Sequence, residues 1–288
     1  MPTGPLAPPT RLAPPTRLAP AARERLVAPG DRRRSLGRDH RARPRSANGA
    51  SSFHLAWQVP PGEWVAAEAT LEVTVAPSVD ALYFWALQVS FTEAGRHGGA
   101  AHLGLQWHPG HPGRTAINWG GYGAGGVELA GSTSLLPSAT GNPNTRDFAW
   151  HPARPYRLRI RRSGGLAPGA PPGATSWRGE VVDLAGGGPV TVVRELFAPG
   201  RHLADALVWS EVFADCDAPP TEVRWRELAL IDERGRSVPV PAVRVNYQAA
   251  PDGGCSQTDS SVEARAFVQR TSTPRATPQG ALLSVSRS

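Results

Sequence analysis

The stretch "YFWALQVSF", residues 83–91, decides the fold. Successive side chains of an extended strand point to opposite faces, so Tyr83, Trp85, Leu87, Val89 and Phe91 share one side. Gln88 and Ser90 fall on the other. The same period-two alternation runs through "FHLAWQV" (Phe53, Leu55, Trp57, Val59), "ATLEVTV" (Leu71, Val73, Val75) and "HLGLQW" (Leu103, Leu105, Trp107). It returns in "YRLRIR", where Tyr156, Leu158 and Ile160 alternate with Arg157, Arg159 and Arg161. Further candidate strands are "SWRGEVVDL", "VTVVREL", "LVWSEVF", "VRWRELALID" and "VRVNYQ". Turn-forming clusters such as "GGYGAGG", "GNPN" and "APGAPPGA" separate them. Many short strands with one apolar face each, and hardly any helical periodicity, predict an all-β protein. One-sided alternation favours two antiparallel sheets face to face, a sandwich of jelly-roll type.

Working outward, residues 51–271 read as one β-sandwich domain, with a tail on each side. Residues 1–50 hold "LAPPTR" twice, a degenerate "LAPAAR", and then "RRRSLGRDHRARPR". Eleven arginines against three acidic residues give this segment a net +8, so the rest of the chain sums to −1 out of the total +7. The charge belongs to the tail, and its proline-rich repeat predicts disorder. All nine tryptophans lie outside it, so the arm lacks the aromatic interleaving that stacks bases, and nucleic acid is a disfavoured partner. All 31 basic residues are arginine, a bias that a GC-rich coding sequence explains without any binding role. Residues 272–288, polar and proline-containing, read as a flexible C-terminal tail. No apolar run reaches membrane-spanning length, and the N-terminus lacks the apolar core of a secretory signal.

The sequence that most invites a metal is "QWHPGHPG", residues 106–113, with His108 and His111 three apart and His102 upstream. Two Pro-Gly pairs also make two consecutive β-turns, which would leave both histidines at turn corners, open to solvent. A transition-metal site needs at least three ligands, and the loop holds no carboxylate to complete a set. His108 and His111 are weak metal candidates, and no cofactor is expected.

For catalysis, a sandwich glycosidase needs two carboxyl groups facing one sugar. Glu180 and Asp183 are three apart on a strand and so point to opposite faces. Glu211 in "WSEVF" alternates with Trp209 and Phe213, and a buried carboxyl there would have a raised pKa. It is the one weak catalytic candidate. Cys216 and Cys255, the only cysteines, both sit at strand ends and are expected to form a disulfide with α-carbons about 4.4–6.8 Å apart.

The blocks "YFWALQVSF", "GGAAHLGLQWHPGHPG", "INWGGYG", "GNPNTRDFAW", "WSEVFADCDAPP" and "GGCSQT…FVQRT" resemble those of uncharacterised bacterial proteins from GC-rich genomes. These form a domain family of unknown function, similar to lectin-like (concanavalin-A-like) sandwiches. The resemblance covers about residues 53–273. It implies a lectin-like fold and, because such proteins look exported, an extracellular location, though no signal sequence accompanies it here.

Two functions follow. The first is a non-catalytic carbohydrate-binding module. Gln88, Ser90, His102, Gln106 and Asn118, with Gln58, form a face of neutral donors and acceptors suited to the hydroxyls of a polysaccharide or glycan. Trp119 and Trp150 would supply a flat apolar platform. The second is a polysaccharide-acting hydrolase or lyase using Glu211. It requires a second carboxyl in the same cleft.

Overall fold

The computed structural model describes residues 44, 46, 48–165 and 168–286. Most of the N-terminal arm expected to be disordered lies outside the described residues. Sixteen strands occur among those described. They are β1 (Ser51–Trp57), β2 (Trp64–Val75), β3 (Tyr83–Glu93), β4 (Arg96–Trp107), β5 (Thr115–Gly123), β6 (Thr145–Asp147), β7 (Pro155–Arg162) and β8 (Thr175–Asp183). They continue with β9 (Thr191–Ala198), β10 (His202–Val212), β11 (Glu222–Asp232), β12 (Ser237–Pro239), β13 (Ala242–Tyr247), β14 (Thr258–Glu263), β15 (Ala266–Thr271) and β16 (Leu282–Ser284). Every pairing is antiparallel, and no α-helix occurs among the described residues. None of their helical turns could cross a membrane.

One layer runs β13-β1-β10-β3-β4-β5-β6, and the other holds β9-β8-β7-β2-β11-β15-β14. The apolar alternation explains how they meet. Tyr83, Trp85, Leu87, Val89 and Phe91 of β3 and Leu103 and Leu105 of β4 lie in one core with Leu71, Leu158, Ile160, Trp177 and Trp225 of the other layer. The expectation of two separate sheets needs one correction. Leu203 of β10 pairs with Trp64 of β2, so the layers are hydrogen-bonded into one continuous sheet there.

Two outer faces remain, and they differ in chemistry. On the β2/β7/β8 layer, Arg159 pairs with Glu68 at 2.8 Å, Arg161 with Glu180 at 2.8 Å and Arg178 with Glu195 at 2.6 Å. This is a solvated surface of ion pairs. The outer face of the β1/β10/β3/β4/β5 layer carries rings and amides.

The C-terminal segment, read as a flexible tail, instead supplies β16, which extends the first layer beside β13. Cys216 and Cys255 are bonded, with α-carbons 5.4 Å apart, as the sequence predicts. The Cys255 N–H also donates to Ser51 Oγ at the start of β1. The bridge therefore ties the segment after β10 to the turn before β14, beside the first residue of β1.

Candidate functional site

Strand register builds the site. Glu211 is opposite Phe84, Phe84 opposite Gln106, and Gln106 opposite Ala116. Residues facing each other across antiparallel strands share a sheet face, so these four stand in one row. The next row runs His54, Trp209, Ala86, Gly104, Asn118 and Thr145. The third runs Ala56, Leu207, Gln88, His102 and Gly120. A fourth row holds Ser90, Ala100 and Tyr122. Gln88, Ser90, His102, Gln106 and Asn118 thus share the face the sequence assigned them.

Small residues run along the middle of this face. Gly104 is required there, because a Cβ would come within 2.0 Å of the Trp85 carbonyl oxygen. Above that floor, Phe84 and Trp209 meet edge-on at 4.8 Å, and His102 packs on both, at 5.5 and 5.7 Å. Trp209 Nε1 donates to Gln88 Oε1 at 3.1 Å, fixing both side chains. Asn118 Nδ2 donates to Thr145 Oγ1 at 2.8 Å. Three buried polar atoms on this face have no partner: Gln106 Oε1, Asn118 Oδ1 and His54 Nδ1. Buried polar atoms are nearly always paired, so these three stand out on the face.

The electrostatics centre on Glu211. Burial pushes its carboxyl up to about 7, against the pull of Asn48, whose Nδ2 donates to Oε1 at 2.9 Å. Burial also lowers His54 and His102 to about 4, so both rings are neutral near pH 7. The Tyr122 phenol is raised by burial first and then by the charges of Glu128 and Glu211. That influence links the two ends of the face. No carboxylate contributes to the shift of Glu211 itself.

Several expectations are corrected. Trp119 is fully buried and Trp150 nearly so, both in the core between the layers, so neither is a platform. Gln88 and His102 are each only 8% exposed, and Gln106 and Asn118 only 2%. The non-catalytic sugar-binding module is therefore overturned at its platform, because both tryptophans expected to stack on a sugar lie in the core.

His111 is also not a solvent-facing corner. The two turns form, with His111 N–H bonded to His108 O and Arg114 N–H to His111 O, and Gly113 takes the positive φ of 62°. Gly110 does not need one. The His111 ring, however, is wholly buried and bonds Asp147 Oδ1 through Nδ1 at 2.5 Å, while its Nε2 lies 3.3 Å from Thr140 Oγ1. The carboxylate missing from the loop arrives from β6. No group of three potential metal ligands exists among the described residues.

Sequence reasoning missed His54, Phe84, Tyr122 and Asn48. The first three were legible by extending the alternation to the off-core positions of each strand. Asn48 was not, because it lies within the segment read as disordered.

No protein-family model matches the chain, and no curated protein matches it. Among solved structures, it is similar to scytalido-glutamic peptidase with a peptide-based transition state analog. The identity is 12%, over 76% of this chain and 97% of that one, at a TM-score of 0.41. It is also similar to SCP-B, a member of the eqolisin family of peptidases, in a complex with the tripeptide Ala-Ile-His. There the identity is 10%, over 76% and 96%, at a TM-score of 0.39. These neighbours are peptidases rather than lectins, but at such scores the likeness assigns no activity.

Proposed function

We propose that the protein is a hydrolase of carboxylic acid derivatives, amides foremost, with Glu211 as its acid–base group. The observation that carries this reading is a half-buried carboxyl held near 7 in one row with the Gln106 side chain, whose buried Oε1 has no partner. A general base works best when its pKa lies near the working pH. Glycoside hydrolysis asks for a second carboxyl, and none acts on Glu211. Acyl hydrolysis asks for one base and a neutral donor for the developing oxyanion.

Glu211 and Gln106 are two strand spacings apart, about 10 Å between backbones, with Phe84 beneath the gap. The reading seats the scissile carbonyl between these two side chains, along the row that Phe84 shares with them. Ionised Glu211 takes a proton from water as its oxygen adds to the carbonyl carbon. The Gln106 amide donates to the oxyanion. As the C–N bond breaks, Glu211 returns the proton to the departing nitrogen. The disulfide fits an oxidising compartment as the place of action.

The test is incubation of the full chain with a mixed peptide pool, read by mass spectrometry, beside a polysaccharide panel read by reducing ends. Peptide cleavage that Glu211→Gln abolishes is the expected result. Gln106→Leu, which is nearly isosteric, should lower kcat by about 100-fold or more, the usual loss of an oxyanion donor. Cleavage unaffected by Glu211→Gln, or reducing ends in place of peptides, overturns the reading.

A further inference from the structure

At the β5/β6 edge of the same layer, Arg146 and Arg194 lie near enough for the charge of one to act on the other, and no carboxylate among the described residues is bonded to either. Arg194 of β9 is 6% exposed, and its Nη2 donates to Asn144 Oδ1 at 2.5 Å. Its Nε is buried with no acceptor. Arg146 of β6 also leaves its Nε buried and unbonded. A third orphan donor, Trp119 Nε1, belongs to the same region. The Trp119 ring lies against Gly179, and Gly179 is directly opposite Arg194 on the neighbouring strand.

A Cβ on Gly131 would come within 2.4 Å of the Glu195 carbonyl oxygen and 3.1 Å of Arg194 Cζ, so glycine lets the chain pass close to β9 beside the guanidinium. Two acidic groups act here. Glu128 accepts from Asn144 Nδ2, and its charge holds the Arg194 proton on through space, without an ion pair. Asp147 feels the charge of Arg146 but bonds His111 and the Ala139 N–H. Burial, then the charge of Arg146, lowers Arg194 to about 10.

We propose that Arg146 and Arg194 form a binding site for an oxyanion, a carboxylate or phosphate group, at this edge. Guanidinium forks match the oxygens of both groups in paired hydrogen bonds. Water could satisfy the orphan donors but adds no charge against the mutual repulsion of the two arginines, which Glu128 answers only through space, and an anion answers both needs. The site is independent of the role of Glu211.

The experiment is calorimetric titration of the full chain with inorganic phosphate and with succinate, in buffer matched for chloride and ionic strength. Saturable binding of at least one is expected. Arg146→Gln and Arg194→Gln should each weaken it by about tenfold or more, the worth of a charge-assisted hydrogen bond. Glu128→Gln, which removes the competing carboxylate, should tighten it. The anion that binds names the source of the oxyanion. Buried Arg194 could be needed for folding, so circular dichroism accompanies that variant, and half-buried Arg146 decides the matter if it unfolds. Flat titrations with both anions, or wild-type binding by Arg146→Gln, overturn the proposal. Glu211→Gln should bind as wild type, so a failed hydrolase reading and a failed anion site give different results.

Discussion

Glu211 and Gln106 stand in the same row of one sheet face, with Phe84 as the only residue between them. Neither is held by the neighbours such groups normally recruit. Glu211 has one amide bond, from Asn48, and no arginine, and Gln106 leaves its buried Oε1 empty. The opposite layer shows the alternative, since its buried carboxylates Glu180 and Glu195 are each bonded to arginine. A carboxyl left with one neutral donor is costly to ionise, and that cost is measurable.

Replacing Glu211 with glutamine should stabilise the protein above neutral pH. The folded carboxyl titrates near 7, against an ordinary value of 4.5. The folded state therefore binds its proton more tightly, and stability falls as pH rises from 4.5 through 7. At pH 8 the full penalty is present, on the order of 3 kcal/mol from a shift of this size. At pH 4 it is absent. Urea melts of wild type and Glu211→Gln at both pH values should diverge only at the higher. Equal differences at the two pH values would show that Glu211 does not titrate as the site requires.

The rate should follow the same ionisation. A general base must be deprotonated, so kcat/KM should rise with pH and level off above about 7. The Asn48 amide favours the ionised form and lowers this value. Asn48→Ala should therefore move the limb to higher pH while leaving the plateau nearly intact. A limb that stays in place would remove Glu211 as its origin.

The histidine loop makes a separate, structural prediction. Burial raises Asp147, but the Ala139 N–H, the His111 bond and the charges of His111 and Arg146 together bring it below 3.8. A carboxylate with a depressed folded pKa stabilises above its unfolded value, and that support is lost as pH falls through the folded one. His111→Ala leaves a cavity and an unpaired acceptor, and should cost about 2–3 kcal/mol at pH 7. The Asp147→Asn deficit should shrink toward pH 2. Chelators should change neither melting curve.

Period-two alternation made the layers legible, because burial on one side of a strand is written at every second residue. It placed Phe53 to Trp57, Tyr83 to Phe91 and Tyr156 to Ile160 on the core side, as found. It also brought Gln88, His102 and Gln106 to a common face. What alternation cannot give is depth. Trp119 reads the same whether its strand is roofed by Gly179 or open, and a Cβ at 179 would come within 2.7 Å of its ring. Nor does it give long-range partners: Asp147 reaches His111 across 36 residues, and Arg194 reaches Asn144 across 50. β16 was lost for a related reason, since three residues paired at a sheet edge carry too short a pattern to stand out from a polar tail.

Removing the disulfide should test how far the site depends on the end of β10. Cys216 follows Glu211 by five residues, and its bridge to Cys255 closes a separation of 39 residues. Restricting a loop of that length in the unfolded chain stabilises the fold by about 4 kcal/mol on the chain-entropy model. The paired variant Cys216→Ser/Cys255→Ser should lose roughly that much in urea melts. The Cys255 N–H bond to Ser51 Oγ lies beside the start of β1, and Ser51 pairs with Val212, the residue after Glu211. Loosening this corner should therefore also disturb Glu211, visible as a shift in its pH limb under conditions where the variant is still folded. A variant that loses stability but keeps the wild-type limb would confine the bridge to stability. A variant that melts like the wild type would show that the bridge restrains the unfolded chain far less than its loop length requires.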